Sequence, residues 1–161
     1  MARKENVSNL KTEKEGITIL RELMDGFMVP TKEQRQSLYK LCGIDYRKYS
    51  RSVDGIQLLV SDFNKIKSEM DFLLIEVKTT KAKNVKTLPY GAFFGFTQNE
   101  EDLFKSKDNY RLCIVHTGLK EYYSMGYEEY LSLIQNKRVQ YQINFRSESL
   151  DVEDLPELHK L

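Results

Sequence analysis

The chain has 161 residues, enough for one domain with a sizeable core. Its 40% hydrophobic and 30% charged residues are the balance of a folded globular protein and exclude wholesale disorder. A formal charge of +1, from 25 Lys and Arg against 24 Asp and Glu, excludes a dedicated basic nucleic-acid coat while leaving room for local basic strips.

Residues 1–12 are polar and read as a frayed start. Over Thr12–Met24, Ile17, Leu20, Leu23 and Met24 mark one helical face, with Thr12 and Glu15 spaced as a capping box and Gly26 as the stop. Thr31, behind Pro30, opens a second helix running to about Cys42, and Gly43 ends it. These helices form an N-terminal layer, residues 1–43, ahead of a core over 44–146 and an acidic tail over 147–161.

Residues 44–53 read as a loop carrying Arg47, Lys48 and Arg51 between Tyr46 and Tyr49. Gly55–Ser61 is strand-like, and Asp62–Glu69 is a polar turn region. Phe72–Lys78 is the strongest strand, and its nearly continuous apolar run predicts burial on both faces. A basic loop over Lys81–Pro89 leads to a short apolar strand, Gly91–Phe96. Thr97, with Glu100 at the capping-box position, starts a helix to about Lys105. Tyr110–His116 is a further strand. Tyr127–Gln135 is a short helix with Tyr130, Leu131 and Ile134 inward, and Val139–Phe145 alternates as an edge strand does. The fold class is therefore α/β, a mixed sheet flanked by helices.

Glu76 and Lys78 stand two apart in the best strand, so both point to one face. Charges placed in a core run need compensation. A hairpin centred near Lys65 brings Asp54 opposite Glu76, and two facing carboxylates suit Mg²⁺. Such an ion activates water and neutralises a phosphate, while Lys78 orients the water or stabilises developing negative charge.

The set Asp54…Glu76-Val77-Lys78 resembles the PD-(D/E)XK nuclease superfamily, with Val53 where the motif's Pro would stand. Ile75-Glu76-Val77-Lys78-Thr79-Thr80, then Phe93-Phe94-Gly95-Phe96-Thr97-Gln98-Asn99-Glu100, then Tyr110-Arg111-Leu112-Cys113-Ile114-Val115, is similar to the protein NO VEIN C-terminal-like nuclease domains of bacterial restriction and defence proteins. The similarity spans roughly residues 50–118, under half of the chain. It implies a restriction-endonuclease-like core and Mg²⁺-dependent hydrolysis of double-stranded DNA, with Mn²⁺ able to substitute. Asp54 and Glu76 then hold the metal, Lys78 serves the chemistry, and a homodimer cuts both strands. The role implied is a small type II restriction or defence nuclease. A resolvase-like repair nuclease and a catalytically inactive DNA-binding or subunit module are the alternatives.

Asp62 is the alternative first acid, and Asp71 is a strand-start residue. Glu22 on the first helix is a further metal candidate implied by the resemblance, and Glu15 is read as a cap. Gln98 is a site-adjacent candidate, since Glu100 is already explained by capping. Two basic strips, Arg47–Lys48–Arg51 and Lys81–Lys83–Lys86, are candidate DNA contacts. His116 and His159, the only histidines, are too few for zinc, and His116 is read as structural. Cys42 and Cys113, the only cysteines, make no disulfide framework and point to a reducing compartment. No apolar run reaches the ~18 residues of a membrane span, and Met1-Ala2-Arg3-Lys4 leads into no signal-peptide core, so a cytoplasmic location is expected.

Overall fold

The structure, a computed structural model, describes the backbone of residues 2–145 and the side chains of residues 11–145. The expected tail, with His159, lies outside the described residues. Helix α1 (Ala2–Leu23) starts ten residues before Thr12, the expected start. Its first turns are rich in Arg, Lys and Glu, good helix formers, so Thr12 and Glu15 fall inside the helix and form no cap. The buried stripe is Gly16, Ile19, Leu20 and Met24, whereas Leu23, expected inward, is 49% exposed.

A two-residue strand β1 (Phe27–Met28) follows the turn at Gly26, whose φ of +80° favours glycine. Helix α2 (Lys32–Leu41) has the expected Thr31 cap, closed into a box by Gln34, and Gly43 at φ +63° just past its end. The expected loop contains a single helical turn, α3 (Tyr46–Tyr49), because Asp45 accepts a bond from Arg47 N–H and starts it.

Strand β2 (Gly55–Leu58) stops three residues short of Ser61 and pairs antiparallel with β1 on one side. On its other side it pairs antiparallel with β3 (Phe72–Thr80), Gly55 against Ile75 and Leu58 against Phe72. Helix α4 (Gln98–Ser106) then crosses over to β4 (Tyr110–His116), parallel to β3, and β5 (Glu121–Met125) returns antiparallel beside β4. The sheet is mixed, in the order β1-β2-β3-β4-β5. Helix α5 (Tyr127–Leu133) closes the described fold. In it Tyr130 is buried and Ile134 packs on the core, but Leu131 is 44% exposed.

Two expected strands are absent. Residues 91–96 belong to no ladder, and residues 136–145 form no strand. Alternation records which side chains face inward, but a strand also needs a neighbouring backbone to bond.

The sheet has a core on each face. One face holds Leu38, Tyr39, Ile56, Phe72, Leu74, Phe104, Tyr110 and Leu112, reached from α2 and α4. The other holds Ile75, Val77, Cys113 and Val115 under Ile19 and Leu20 of α1. The helix approaches so closely that a Cβ on Gly16 would lie 2.6 Å from Thr79 Cγ2. Among the described residues, no helix is long and apolar enough to cross a membrane.

Candidate active site

The β2–β3 register sums to a hairpin centre at Lys65, and one further step sets Asp54 beside Glu76. At that step the strands part. Asp54 N–H still donates to Ile75 C=O (2.9 Å), but Val77 N–H is taken by the Asp54 carboxylate (2.7 Å). Val53 C=O turns to the guanidinium of Arg35 on α2, which also reaches Ser50 C=O at 3.2 Å. Beyond Ile75, then, β3 has its ladder partner only on the β4 side, and a cleft opens along the other edge.

That cleft, about 500 Å³, is lined by Asp54, Glu76, Lys78, Glu100, Arg35 and Glu13, among others. Glu76 lies 2% exposed on the face of Leu74, at the end of the apolar half of the strand. Its Oε1 accepts from Lys78 Nζ at 2.8 Å, while no donor among the described residues reaches its buried Oε2. Lys78 Nζ also donates to Glu100 Oε2 at 3.1 Å and sits 5.3 Å from the centroid of the Phe96 ring. Glu100 does two jobs with one oxygen. It caps α4 through Thr97 N–H (2.8 Å) and fixes the lysine from the opposite side to Glu76.

The electrostatics follow from burial. Desolvation, with Glu13 and Glu100 nearby, raises the Asp54 carboxyl to about 6, against the pull of Val77 N–H and Lys78. Burial and then Asp54 hold Glu76 well above the usual carboxylate range, and Lys78 opposes them. Burial pulls Lys78 down, but its two carboxylate partners outweigh it, so its net shift is upward and it stays an ammonium.

A buried carboxylate oxygen with no donor among the described residues, beside a second carboxylate raised by burial, is a pair that a hard divalent ion would satisfy. No three His, Cys, Asp or Glu side chains among the described residues form a ready metal cage. Mg²⁺ does not require one, because it commonly takes one or two carboxylates and completes its shell with water and substrate phosphate.

The other candidates fall elsewhere. Asp62 caps a 3₁₀ turn through Asn64 N–H (2.9 Å), and Asp71 accepts from Lys67 and Ser68 N–H, both at the far end of the hairpin. Glu22 is exposed near the C-terminus of α1, about 13 Å along the helix axis from Glu13. Glu15 pairs with Lys81 at 3.0 Å on the surface. Gln98 is exposed and bonded to Asp102 (2.8 Å), so it turns away from the cleft. Arg51 lines the cleft and, with Arg47 and Lys48, a neighbouring hollow of about 360 Å³. Lys83 and Lys86 are exposed. His116 is buried between Ala82 C=O (3.2 Å) and Leu119 N–H (3.1 Å), the structural role expected of it. Cys42 and Cys113 are buried free thiols.

Glu13 and Arg35 are the lining residues that the sequence reading passed over. Both carried a signal: each is a charge on an apolar helical stripe, Glu13 with Gly16, Ile17 and Leu20, and Arg35 with Leu38, Tyr39 and Cys42. No family model, curated protein or solved structure matches the chain.

Proposed function

We propose that this chain is a Mg²⁺-dependent endonuclease hydrolysing DNA phosphodiester bonds, a small restriction or defence nuclease of the kind the PD-(D/E)XK resemblance implies. The observation that carries the reading is the buried Glu76 carboxylate. It lies beside Asp54, with one oxygen on Lys78 and the other without a donor among the described residues. A core position would not keep two acids and an ammonium unless their charge served something, because an apolar side chain there costs less.

Asp54 and Glu76 are the residues to hold the ion. When bound, Mg²⁺ polarises the scissile phosphate and acidifies an attacking water, and Mn²⁺ serves in its place. Lys78 remains an ammonium between Glu76 and Glu100, so it is no general base. It supplies positive charge and hydrogen bonds to a phosphoryl oxygen, held in place before substrate arrives. Glu100 and Glu76 fix its geometry, and Arg35 fixes the turn that aims Asp54. Cleavage of both strands calls for two such sites, hence a homodimer, and a cytoplasmic setting accords with the free thiols.

The test is plasmid cleavage with Mg²⁺, with EDTA, and with Glu76→Ala and Lys78→Ala. Discrete fragments lost under each of the last three conditions support a sequence-specific metal nuclease. Nicking or smearing with the same dependence keeps the chemistry and moves the role toward repair. Folded wild-type protein that binds DNA and cuts neither DNA nor RNA sinks the reading in favour of a binding module.

A further inference from the structure

The loop between β3 and α4 leaves the cleft directly from the strand that carries Glu76 and Lys78. Its residues 91–97 alternate strictly in exposure. Ala92, Phe94 and Phe96 face inward and pack on the main core, where Phe96 meets Phe94, Phe104 and Tyr130 at ring-centroid distances of 5.5–6.0 Å. Gly91, Phe93 and Gly95 face outward, and Phe93 is 93% exposed. Its two outward neighbours are therefore glycines. A Cβ on Gly95 would meet nothing within 4 Å, and Gly91 holds φ +77°. The ring stands free above bare backbone, on a support anchored by Val85 and Leu88 as well as by the inward phenylalanines.

Such a mount suits a flat partner. Loop residues 81–97 contain three lysines and no acid, so the loop favours an anionic partner over a neutral one. The loop borders the site, because Phe96 lies beneath the Lys78 ammonium and Phe93 is three residues from it on the same loop, at most about 11 Å between their backbones. Tyr90, 68% exposed on the same loop, adds a second ring.

We infer that Phe93 is a stacking platform for an unstacked nucleobase of the strand being cut. The inference rests on the nuclease reading above and narrows its substrate. Bases inside an intact duplex offer no free face, so the strand arrives single-stranded or has a base flared out. The loop lysines hold the adjoining phosphates, and the ring takes the base whatever its identity, since every base has a π-face.

The chain has no Trp, so Phe93→Trp introduces a sole indole reporter. Its emission is read in EDTA against a dT oligonucleotide, a fully paired duplex and a duplex with one unpaired base. Wild type, Phe93→Ala and Phe93→Leu are compared by fluorescence anisotropy on the same probes. Quenching by the single strand or the unpaired-base duplex, with affinity lost about 5- to 100-fold in Phe93→Ala and also in Phe93→Leu, is the expected result. Quenching by the dT strand alone means the strand arrives single. Quenching by the paired duplex as well means the base is flared on binding. Unchanged emission with every probe and affinities within about twofold overturn the inference. So does emission that shifts only with protein concentration, which would make Phe93 a contact between copies. Because binding is read without a divalent ion, the two readings fail separately. Quenching by a chain that never cuts removes the nuclease, and cutting with a silent Phe93 removes the platform.

Discussion

The hairpin β2–β3 has two ends, and both carry a pair of aspartate or glutamate side chains. At the turn end, Asp62 is exposed and Asp71 half-buried, and each carboxylate is committed to backbone N–H groups. At the other end, Asp54 and Glu76 are withdrawn from water and crowd each other, and one Glu76 oxygen has no donor among the described residues. Backbone N–H groups lower the Asp71 carboxyl, while burial raises Asp54 and Glu76. The difference teaches how to tell a structural acid from a chemical one. A carboxylate that stabilises a turn is satisfied by it, and one built for a cation keeps acceptor capacity in hand.

The sharpest way to break this comparison is by activity. Glu76→Ala or Lys78→Ala is expected to reduce Mg²⁺-dependent cleavage by about 10³-fold or more, whereas Asp62→Ala and Asp71→Ala stay within about twofold, measured as initial rates on plasmid. Equal losses from both ends would show that the hairpin's integrity, not its chemistry, is being read.

Next in size is the response to metal. At a hundred times its Kd, Mg²⁺ is expected to stabilise the wild type by about 2.7 kcal/mol, seen as a rise in Tm that EDTA reverses. Glu76→Gln should abolish that rise, and Asp71→Asn should leave it intact. A rise that survives Glu76→Gln would place the ion elsewhere.

A smaller effect is expected from pH without divalent ions. Asp54 goes from 3.8 to about 6 on folding, so the native state holds its proton more tightly than the unfolded chain does. Its contribution is therefore most favourable below pH 4, falls as pH rises toward 6, and is level above that. Solvent screening at this partly buried group leaves about 1–2 kcal/mol of change, and Glu76 adds in the same direction. Asp54→Asn, read by denaturant melts across pH 4–7, should flatten that slope and raise stability near neutrality. Acid melts give the smallest and opposite effect at Asp71. Its depressed carboxyl favours folding above the ordinary carboxylate range and loses that contribution as pH falls, so Asp71→Asn should soften the acid limb alone.

The legible parts of the molecule were those decided by near neighbours. The caps at Thr31 and Thr97 depend on residues three positions away, and the apolar run Phe72–Val77 marks a central strand wherever it is placed. The hairpin centre at Lys65 followed from two strands and the polar stretch between them. The illegible parts were decided at a distance. Strand β1 is two residues long and exists only because β2 offers an edge, and β5 exists beside β4 for the same reason. Residues 91–96 alternate in exposure as a strand does, with Phe94 and Phe96 packed against the core, yet they join no ladder. At the cleft, Glu100 was legible as a cap, while its second bond to Lys78 depends on how α4 docks. On α1, Glu22 was singled out and Glu15 read as a cap, while Glu13, the acid on the apolar stripe that lines the cleft, was passed over.

The close seat of Gly16 on Thr79 bears on how the cleft is enclosed. Asp54, Glu76 and Lys78 are brought together by a local hairpin that closes a short loop. Glu13 and Ile17, which wall the same cleft, come from a helix separated from β3 by the whole of β1, α2 and β2. The enclosure of the charges therefore depends on how α1 is seated on the sheet, while their pairing does not. A methyl group at position 16 would hold the helix off the sheet while leaving the hairpin's pairing untouched, so the site would remain assembled but unenclosed.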